Sequence, residues 1–287
     1  MDIYVCIVSE EGSMSDQNIQ IEKDGHVLVI RFTNDEMRNS LSPAMRDGLA
    51  NAIHEAADDH TVRALYITGS GRSFCAGGDF DTLSKFNDSY STHSRFRHMS
   101  AFLTQMIRMP KPIVMGVNGY AVGGGMGLAL AGDVIFAAES AKFMAGFMRL
   151  GAMPDYGTMY SLPRLVGMAR AKNFLFSNGT WTAAYALEMG IVAKVLPDDE
   201  LDEAALAHAH VLANGPIEAM GISKMIMGRS FEQSAENMLA FESLGQPLAF
   251  RTEAFQEGFE AVKSKVEANF PAASDREYWH EHLERED

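Results

Sequence analysis

The apolar pattern Ile113–Val117 runs almost directly into GYAVGGGMGLALAGD (Gly119–Asp133), where three consecutive glycines open a run of small apolar side chains. Such a run is needed where something approaches the backbone too closely for a Cβ, or where the chain turns left-handed. Two familiar phosphate-binding solutions fail on spacing. A P-loop closes in Gly-Lys-Ser or Gly-Lys-Thr, and no Lys follows these glycines. A dinucleotide fingerprint needs G-x-G-x-x-G, and the sixth position is Leu128 counted from Gly123 and Leu130 counted from Gly125. Two readings remain: the glycines let a helix pack tightly on its neighbour, or bare N–H groups at a helix start face a reacting atom.

Strand and helix patterns alternate around this stretch. IQIEKDGHVLVIRF (19–32) alternates about Asp24-Gly25, a hairpin signal. Ser42-Pro43 predicts a helix start, with Ser as N-cap and Pro in the first turn. Val62–Thr68 reads as a buried strand and Gly69–Asp79 as a Gly-rich loop. A long helix is expected over about 90–108, then the strand Ile113–Val117, the glycine run opening a helix, and the strand Val134–Ala137. Strands alternating with helices predict an α/β layered core. Past Asp198 only helical patterns follow, at 200–214, 217–229, 234–249 and 252–267, and the tail REYWHEHLERED reads as one more amphipathic turn or helix. The chain therefore divides into an extension over 1–18 (a candidate for disorder, with Met14 as an alternative start), a core over 19–198, a helical region over 199–270 and a charged tail over 271–287.

Composition excludes several functions. A net charge of −14 argues against a nucleic-acid partner, and no run of some 18 apolar residues offers a membrane span. An anionic ligand would need local basic groups against that repulsive field. Ile3–Val8 follows Asp2 rather than basic residues and makes a poor signal peptide. Cys6 and Cys75 are the only cysteines, too few for a disulfide framework and without metal-ligand spacing, so a reducing cytoplasm and no metal are expected.

A second glycine loop, SFCAGGDF (Ser73–Phe80), also follows a predicted strand. Two backbone N–H groups converging from separate loops make a site for a negative oxygen. With these loops the chain carries MRNSLSPAM (37–45), GSGRSFCAGGDF (69–80), PKPIVMGVNGYAVGGGMGLALAGD (110–133), AKFMAGFMRLGAMPDYGTMYSLPRLVG (141–167) and ALEMGIVAKVLP (186–197). In that order and spacing, from roughly Ile19 to Phe270, it resembles the enoyl-CoA hydratase/isomerase (crotonase) superfamily. The resemblance implies an α/β fold, a spiral of ββα units followed by a helical C-terminal region that trimerises, with trimers often pairing into hexamers. It implies an acyl-CoA thioester as substrate, with coenzyme A part of that substrate and no separate cofactor. The N–H groups of Gly78 and Gly124 would form the oxyanion hole, the glycines leaving room for the thioester. Contacts to CoA would fall on Arg38, Ser40, Leu41, Ala76, Asp79 and Phe80, and near the C-terminus on Lys265 and Phe270.

Fold does not settle the reaction. Hydratases of the family place one Glu two residues after the third glycine and another about twenty residues later; this chain has Gly127 and Phe147. LGAMPDYGT (150–158) places Asp155 where dienoyl-CoA isomerases and ring-epoxide phenylacetyl-CoA isomerases carry their working acid. 4-Chlorobenzoyl-CoA dehalogenases use an Asp there as nucleophile, with a Trp at the position of Phe147 and a His at that of Ser100; His98 is two residues out of place. The reading that follows is an enoyl-CoA isomerase in which Asp155 moves a proton between the α and γ carbons. The alternatives are a hydratase or dehalogenase-like CoA enzyme, or an acyl-CoA-binding relative without catalysis. Plainer roles stand beside these. Asp155 is also a favoured N-cap for the helix that follows it. Met144, Met148, Met153 and Met159 are either core gap-fillers or an adaptable acyl pocket, and Met153, Met159 and Phe147 form a candidate apolar shell around Asp155. Cys75 is expected as a buried filler, Asp79 and Asp133 as structural turn residues, His93 and His98 as surface or packing groups.

Overall fold

The computed structural model describes residues 14–16, 18–85 and 88–274. It opens with an antiparallel meander of β1 (Met14–Asp16), β2 (Ile19–Asp24) and β3 (Val27–Phe32). The Asp24-Gly25 turn forms as expected, with Gly25 at φ +56°. Because β1 pairs Met14 with Ile21, the sheet begins inside the stretch read as an extension; residues 1–13, with Cys6, lie outside the described residues. Helix α1 (Pro43–Asp58) starts where predicted, the Ser42 hydroxyl accepting from the Met45 N–H. It buries Met45, Leu49, Ala52, Ile53 and Ala56, a 3–4 spacing that makes one face.

Three similar turns follow. The first is β4 (Ala64–Gly69), β5 (Ser73–Cys75), α2 (Phe80–Leu83) and α3 (Ser89–Arg108). The second is β6 (Ile113–Val117), β7 (Tyr120–Val122) and α4 (Gly124–Ala129). The third is β8 (Val134–Ala138), β9 (Lys142–Met144), a 3-10 turn over Phe147–Leu150, α5 (Thr158–Val166) and α6 (Met168–Phe176). Then β10 (Thr180–Thr182), α7 (Ala183–Glu188) and β11 (Lys194–Leu196) close the core. The first strand of each turn joins one sheet, ordered β1-β2-β3-β4-β6-β8-β11; the second joins another, ordered β10-β9-β7-β5. From β3 to β11 the first sheet is parallel, so successive strands need crossovers rather than tight turns. The chain thus winds as a spiral. The loop read over Gly69–Asp79 contains β5, which pairs directly with β7 through Ser73↔Tyr120 and Cys75↔Ala121. Since each glycine loop leaves one of these two strands, the pairing sets the loops side by side.

The expected C-terminal helices are α8 (Leu201–Ala213), α9 (Ile217–Met227), α10 (Ala235–Ala249) and α11 (Glu253–Ser264), followed by α12 (Phe270–Ser274). The first of them packs on the parallel sheet, against β4 and β6, rather than on the other helices. Leu201, Ala205, Ala209 and Ala213, four residues apart, give it a flat buried face. Buried Arg63 fixes its far end, Nε and Nη2 donating to the carbonyls of Ala213 and Gly215 at 2.7 and 2.8 Å. The turn or helix expected in REYWHEHLERED lies beyond Ser274, outside the described residues.

Candidate active site

Each glycine of the run serves a different neighbour. Gly123 has φ +54° and precedes α4 as its N-cap, a conformation that side chains resist. At Gly124 a Cβ would lie 2.8 Å from Cδ2 of Tyr156 and 3.2 Å from Cδ1 of Leu41. At Gly125 it would collide with the Cys75 carbonyl, and at Gly127 it would stand 2.6 Å from both Thr158 Oγ1 and the Tyr156 carbonyl oxygen. The Cα face of Gly124 is therefore closed by protein, where the sequence suggested open room for a thioester. What stays available is the amide. Among the described residues, neither the Gly124 nor the Gly78 N–H has an acceptor.

The first two motifs are zipped together beside these amides. Ala76 N donates to the Arg38 carbonyl at 3.0 Å, Leu41 N donates to that of Gly77 at 2.8 Å, and Leu41 bridges Gly78 in parallel register. Arg38 and Asn39 reach this pairing with φ of +52° and +54°. A Cβ on Gly77 would sit 3.5 Å from the Gly124 nitrogen, which places Gly78 and Gly124 in one neighbourhood. Arg38, Ser40, Leu41, Ala76, Asp79 and Phe80 gather there as well. Buried Ser40 keeps its hydroxyl without a partner, and Phe80 is 70% exposed. Asp79 has a structural duty: Oδ1 accepts from Thr82 N at 2.8 Å and from Thr82 Oγ1 at 2.6 Å, capping α2. Lys265 and Phe270 lie elsewhere along the chain. Lys265 ends α11 in a left-handed cap, and the Phe270 ring packs over Gly258.

Asp155 lies in the loop before α5. The N-cap of that helix is Gly157, at φ +73° and without a side-chain bond, so the capping role expected for Asp155 does not arise. Only its backbone takes part in the turn, the Thr158 N–H donating to the Asp155 carbonyl at 2.9 Å. Its Oδ1 is shut off from solvent without a hydrogen-bond partner, and burial pushes the carboxyl up to about 6. The shell is not the expected one: Met153 and Met159 are 70% and 51% exposed, while Phe147 is buried and faces Gly123.

Tyr156, a residue that no sequence pattern singles out, covers the site. Its backbone is left-handed, φ +49°, its side chain is buried, and its ring meets Phe102 edge-on at 6.4 Å between centroids. Burial raises its hydroxyl's pKa, opposed by the Arg46 cation. Thr158 beside it carries a buried hydroxyl without a partner. Cys75 is the buried filler expected, its thiol pushed up to about 12.

Residues 22–273 match the family model described as enoyl-CoA hydratase/isomerase. The chain belongs to that family. It is 33% identical over 249 residues to the 1,2-epoxyphenylacetyl-CoA isomerase of Escherichia coli (strain K12), covering 85% of this chain and 94% of that protein. It is 32% identical over 260 residues to the crotonyl-CoA hydratase of Syntrophomonas wolfei, covering 90% of this chain and 99% of that protein. The crystal structure of an enoyl-CoA hydratase/isomerase from Cupriavidus metallidurans CH34 superposes with a TM-score of 0.84 at 28% identity, covering 90% of this chain and 97% of that one.

Within the hydratase/isomerase family, the two places where hydratases carry Glu are both closed here. The Cα of Gly127 faces Tyr156 and Thr158, and Phe147 is turned into the core. Ser100, where dehalogenases carry His, donates its hydroxyl to the Phe96 carbonyl at 2.9 Å, and Asp133 spends its carboxylate on Lys224 and the Ile113 N–H.

Proposed function

We propose that the protein is an acyl-CoA isomerase that moves a carbon–carbon double bond relative to the thioester. The N–H groups of Gly78 and Gly124 hold the thioester oxygen as it becomes an enolate. Asp155 takes a proton from one carbon of the enolate system and returns it to another. The observation that carries this reading is the Asp155 carboxyl, its Oδ1 buried without a partner and burial raising its pKa to about 6 against the opposing pull of its own backbone N–H. At neutral pH such a group is mostly ionised, so it can accept a proton, and its conjugate acid is strong enough to give the proton back. Hydration would need a second acid–base group, and neither Gly127 nor Phe147 supplies one. The names of relatives, an isomerase and a hydratase among them, agree with CoA-ester chemistry of this general kind.

The deciding experiment uses Asp155→Asn and a 3-enoyl-CoA, following the conjugated 2-enoyl product by its absorbance. The variant should lose roughly 10²–10⁴-fold in turnover, the usual contribution of a general acid–base group, while still binding product. In the parent, turnover should rise with pH through about 6 as the carboxyl ionises. Near-normal turnover in Asp155→Asn sinks the reading.

The same proposal includes assembly with further copies of this chain, as a trimer or a pair of trimers. It is supported by the apolar side chains that α10 and α11 leave in solvent, including Leu239, Leu244, Leu248, Phe259 and Val262. Among the described residues no helix is long and apolar enough to cross a membrane. Light scattering on the full chain tests the assembly; a fully active monomer contradicts it.

A further inference from the structure

Between α1 and α3 lies a cleft of about 270 Å³. Its walls come from one face of each helix, Arg46 and Asp47 with their neighbours on α1, and Arg95, His98, Met99 and Phe102 on α3. In a chain with a net charge of −14, this cleft brings two guanidinium groups and an imidazole together against one exposed carboxylate, Asp47, among the described residues. Arg46 is the telling member. Its Nε is buried with no hydrogen-bond partner, and among the described residues its guanidinium makes no ion pair. A buried donor on a cation is costly to leave unmade, so a site that keeps one calls for an acceptor from outside. The flat guanidinium fork suits a carboxylate, which can take two parallel bonds from it. His98 adds an N–H whichever protonation state it holds.

The cleft adjoins the candidate active site. Phe102 lines it and meets the Tyr156 ring edge-on, and Tyr156 in turn lies against Gly124. Arg46 is also close enough for its charge to act on Tyr156. From Gly124, contacts run through Tyr156 and Phe102 to the wall of this cleft. The geometry points to a substrate whose acyl group ends in a carboxylate, the monothioester of a dicarboxylic acid, with Arg46 as the specificity-determining residue and Arg95 and His98 beside it. This assignment rests on the isomerase reading for its kinetics, but its binding arm stands apart from it. A hydrophobic wall would tolerate either terminus, whereas the buried, unmade donor on Arg46 favours the charged one.

The test compares two unreactive ligands of equal chain length, glutaryl-CoA and pentanoyl-CoA, with free CoA as the third arm. Titration calorimetry on the parent protein should show glutaryl-CoA binding roughly 10–100-fold more tightly than pentanoyl-CoA, the worth of a charge-assisted hydrogen bond. In Arg46→Met, which keeps the apolar stem, that ratio should fall toward one. Arg95→Gln should lower it by a smaller factor, and serves if Arg46→Met does not fold by its melting curve. Equal binding of the two acyl-CoAs by the parent overturns the inference and leaves isomerisation of neutral 3-enoyl-CoAs untouched. A loss of free-CoA affinity as large as the loss for glutaryl-CoA also overturns it, since the cleft would then hold a phosphate of the carrier. If no thioester is isomerised yet the glutaryl preference is present and depends on Arg46, the isomerase reading falls and this one stands.

Discussion

The glycine helix α4 and the loop around Asp155 touch one another, yet they are built to opposite specifications. In α4 every glycine face is filled: Cys75 lies against Gly125, Leu41 and Tyr156 against Gly124, Tyr156 and Thr158 against Gly127. In the loop and the first residue of α5, two polar groups, Asp155 Oδ1 and Thr158 Oγ1, are buried with nothing to bond. The first region is optimised for packing and the second is left wanting. Buried polar groups without partners cost free energy, so their persistence beside a tightly packed wall marks where the chain gives up stability for chemistry.

The comparison breaks most visibly at Gly125. A β-branched side chain there would run into the Cys75 backbone, which cannot rotate away. Gly125→Val should cost more than the roughly 1–3 kcal/mol of ordinary overpacking and yield little soluble protein, as fractionation of expressed protein will show. Next in size is Gly124→Val, whose Cβ presses on the Tyr156 and Leu41 side chains rather than on backbone. It should fold, by circular dichroism, but with the helix start displaced by those contacts, so that the amide, which the substitution keeps, is carried out of line and turnover falls by up to about the 10²–10³-fold that one oxyanion donor contributes. Wild-type turnover in a folded Gly124→Val protein would show that turnover does not depend on where this amide stands.

The loop side should respond in the other direction. Asp155 titrates at about 6 in the fold against an ordinary 3.8, so the native state holds its proton more tightly than the unfolded chain does. Its contribution to stability is full below about pH 4 and is lost as pH rises through about 6. Asp155→Asn removes that loss. At pH 8 the variant should be more stable than the parent by about 2–3 kcal/mol, and the gain should shrink toward zero near pH 4. Urea melts at the two pH values check this; an Asn variant less stable at pH 8 would mean that Oδ1 has a partner in solution. The smallest effect is expected at Thr158. Replacing its partnerless hydroxyl by a methyl in Thr158→Val should leave stability unchanged or raise it by about 1 kcal/mol. A clear loss of stability would show that the hydroxyl is satisfied in solution.

The two regions were also unequally legible. The hairpin about Asp24-Gly25, the Ser42 cap, the long helices and the strands Ala64–Gly69, Ile113–Val117 and Val134–Ala138 announce themselves through turn chemistry and long apolar patterns. The second sheet does not, because β5, β7, β9 and β10 have three residues each and no periodicity can be counted over three. Asp155 is visible through the motif around it. Tyr156 is not, since a left-handed backbone at an aromatic residue is disfavoured and only the assembled loop imposes it. Nor is Arg46, which in sequence is one charged residue on an amphipathic helix and becomes distinctive only when α3 closes over it. Likewise the alanine face of α8 belongs to the sheet for reasons of shape that helical periodicity does not reveal.

The closed face of Gly127 bears on how this chain can have diverged. Related hydratases carry Glu at that position, but here its Cβ alone would sit 2.6 Å from a threonine oxygen and a main-chain carbonyl oxygen. A chain acquiring that glutamate alone would carry a loop that no longer fits its helix. Thr158 would have to change and the loop at Tyr156 shift first. The order of substitutions is thereby constrained, and a single codon change at Gly127 does not install a hydratase's second carboxylate in this fold.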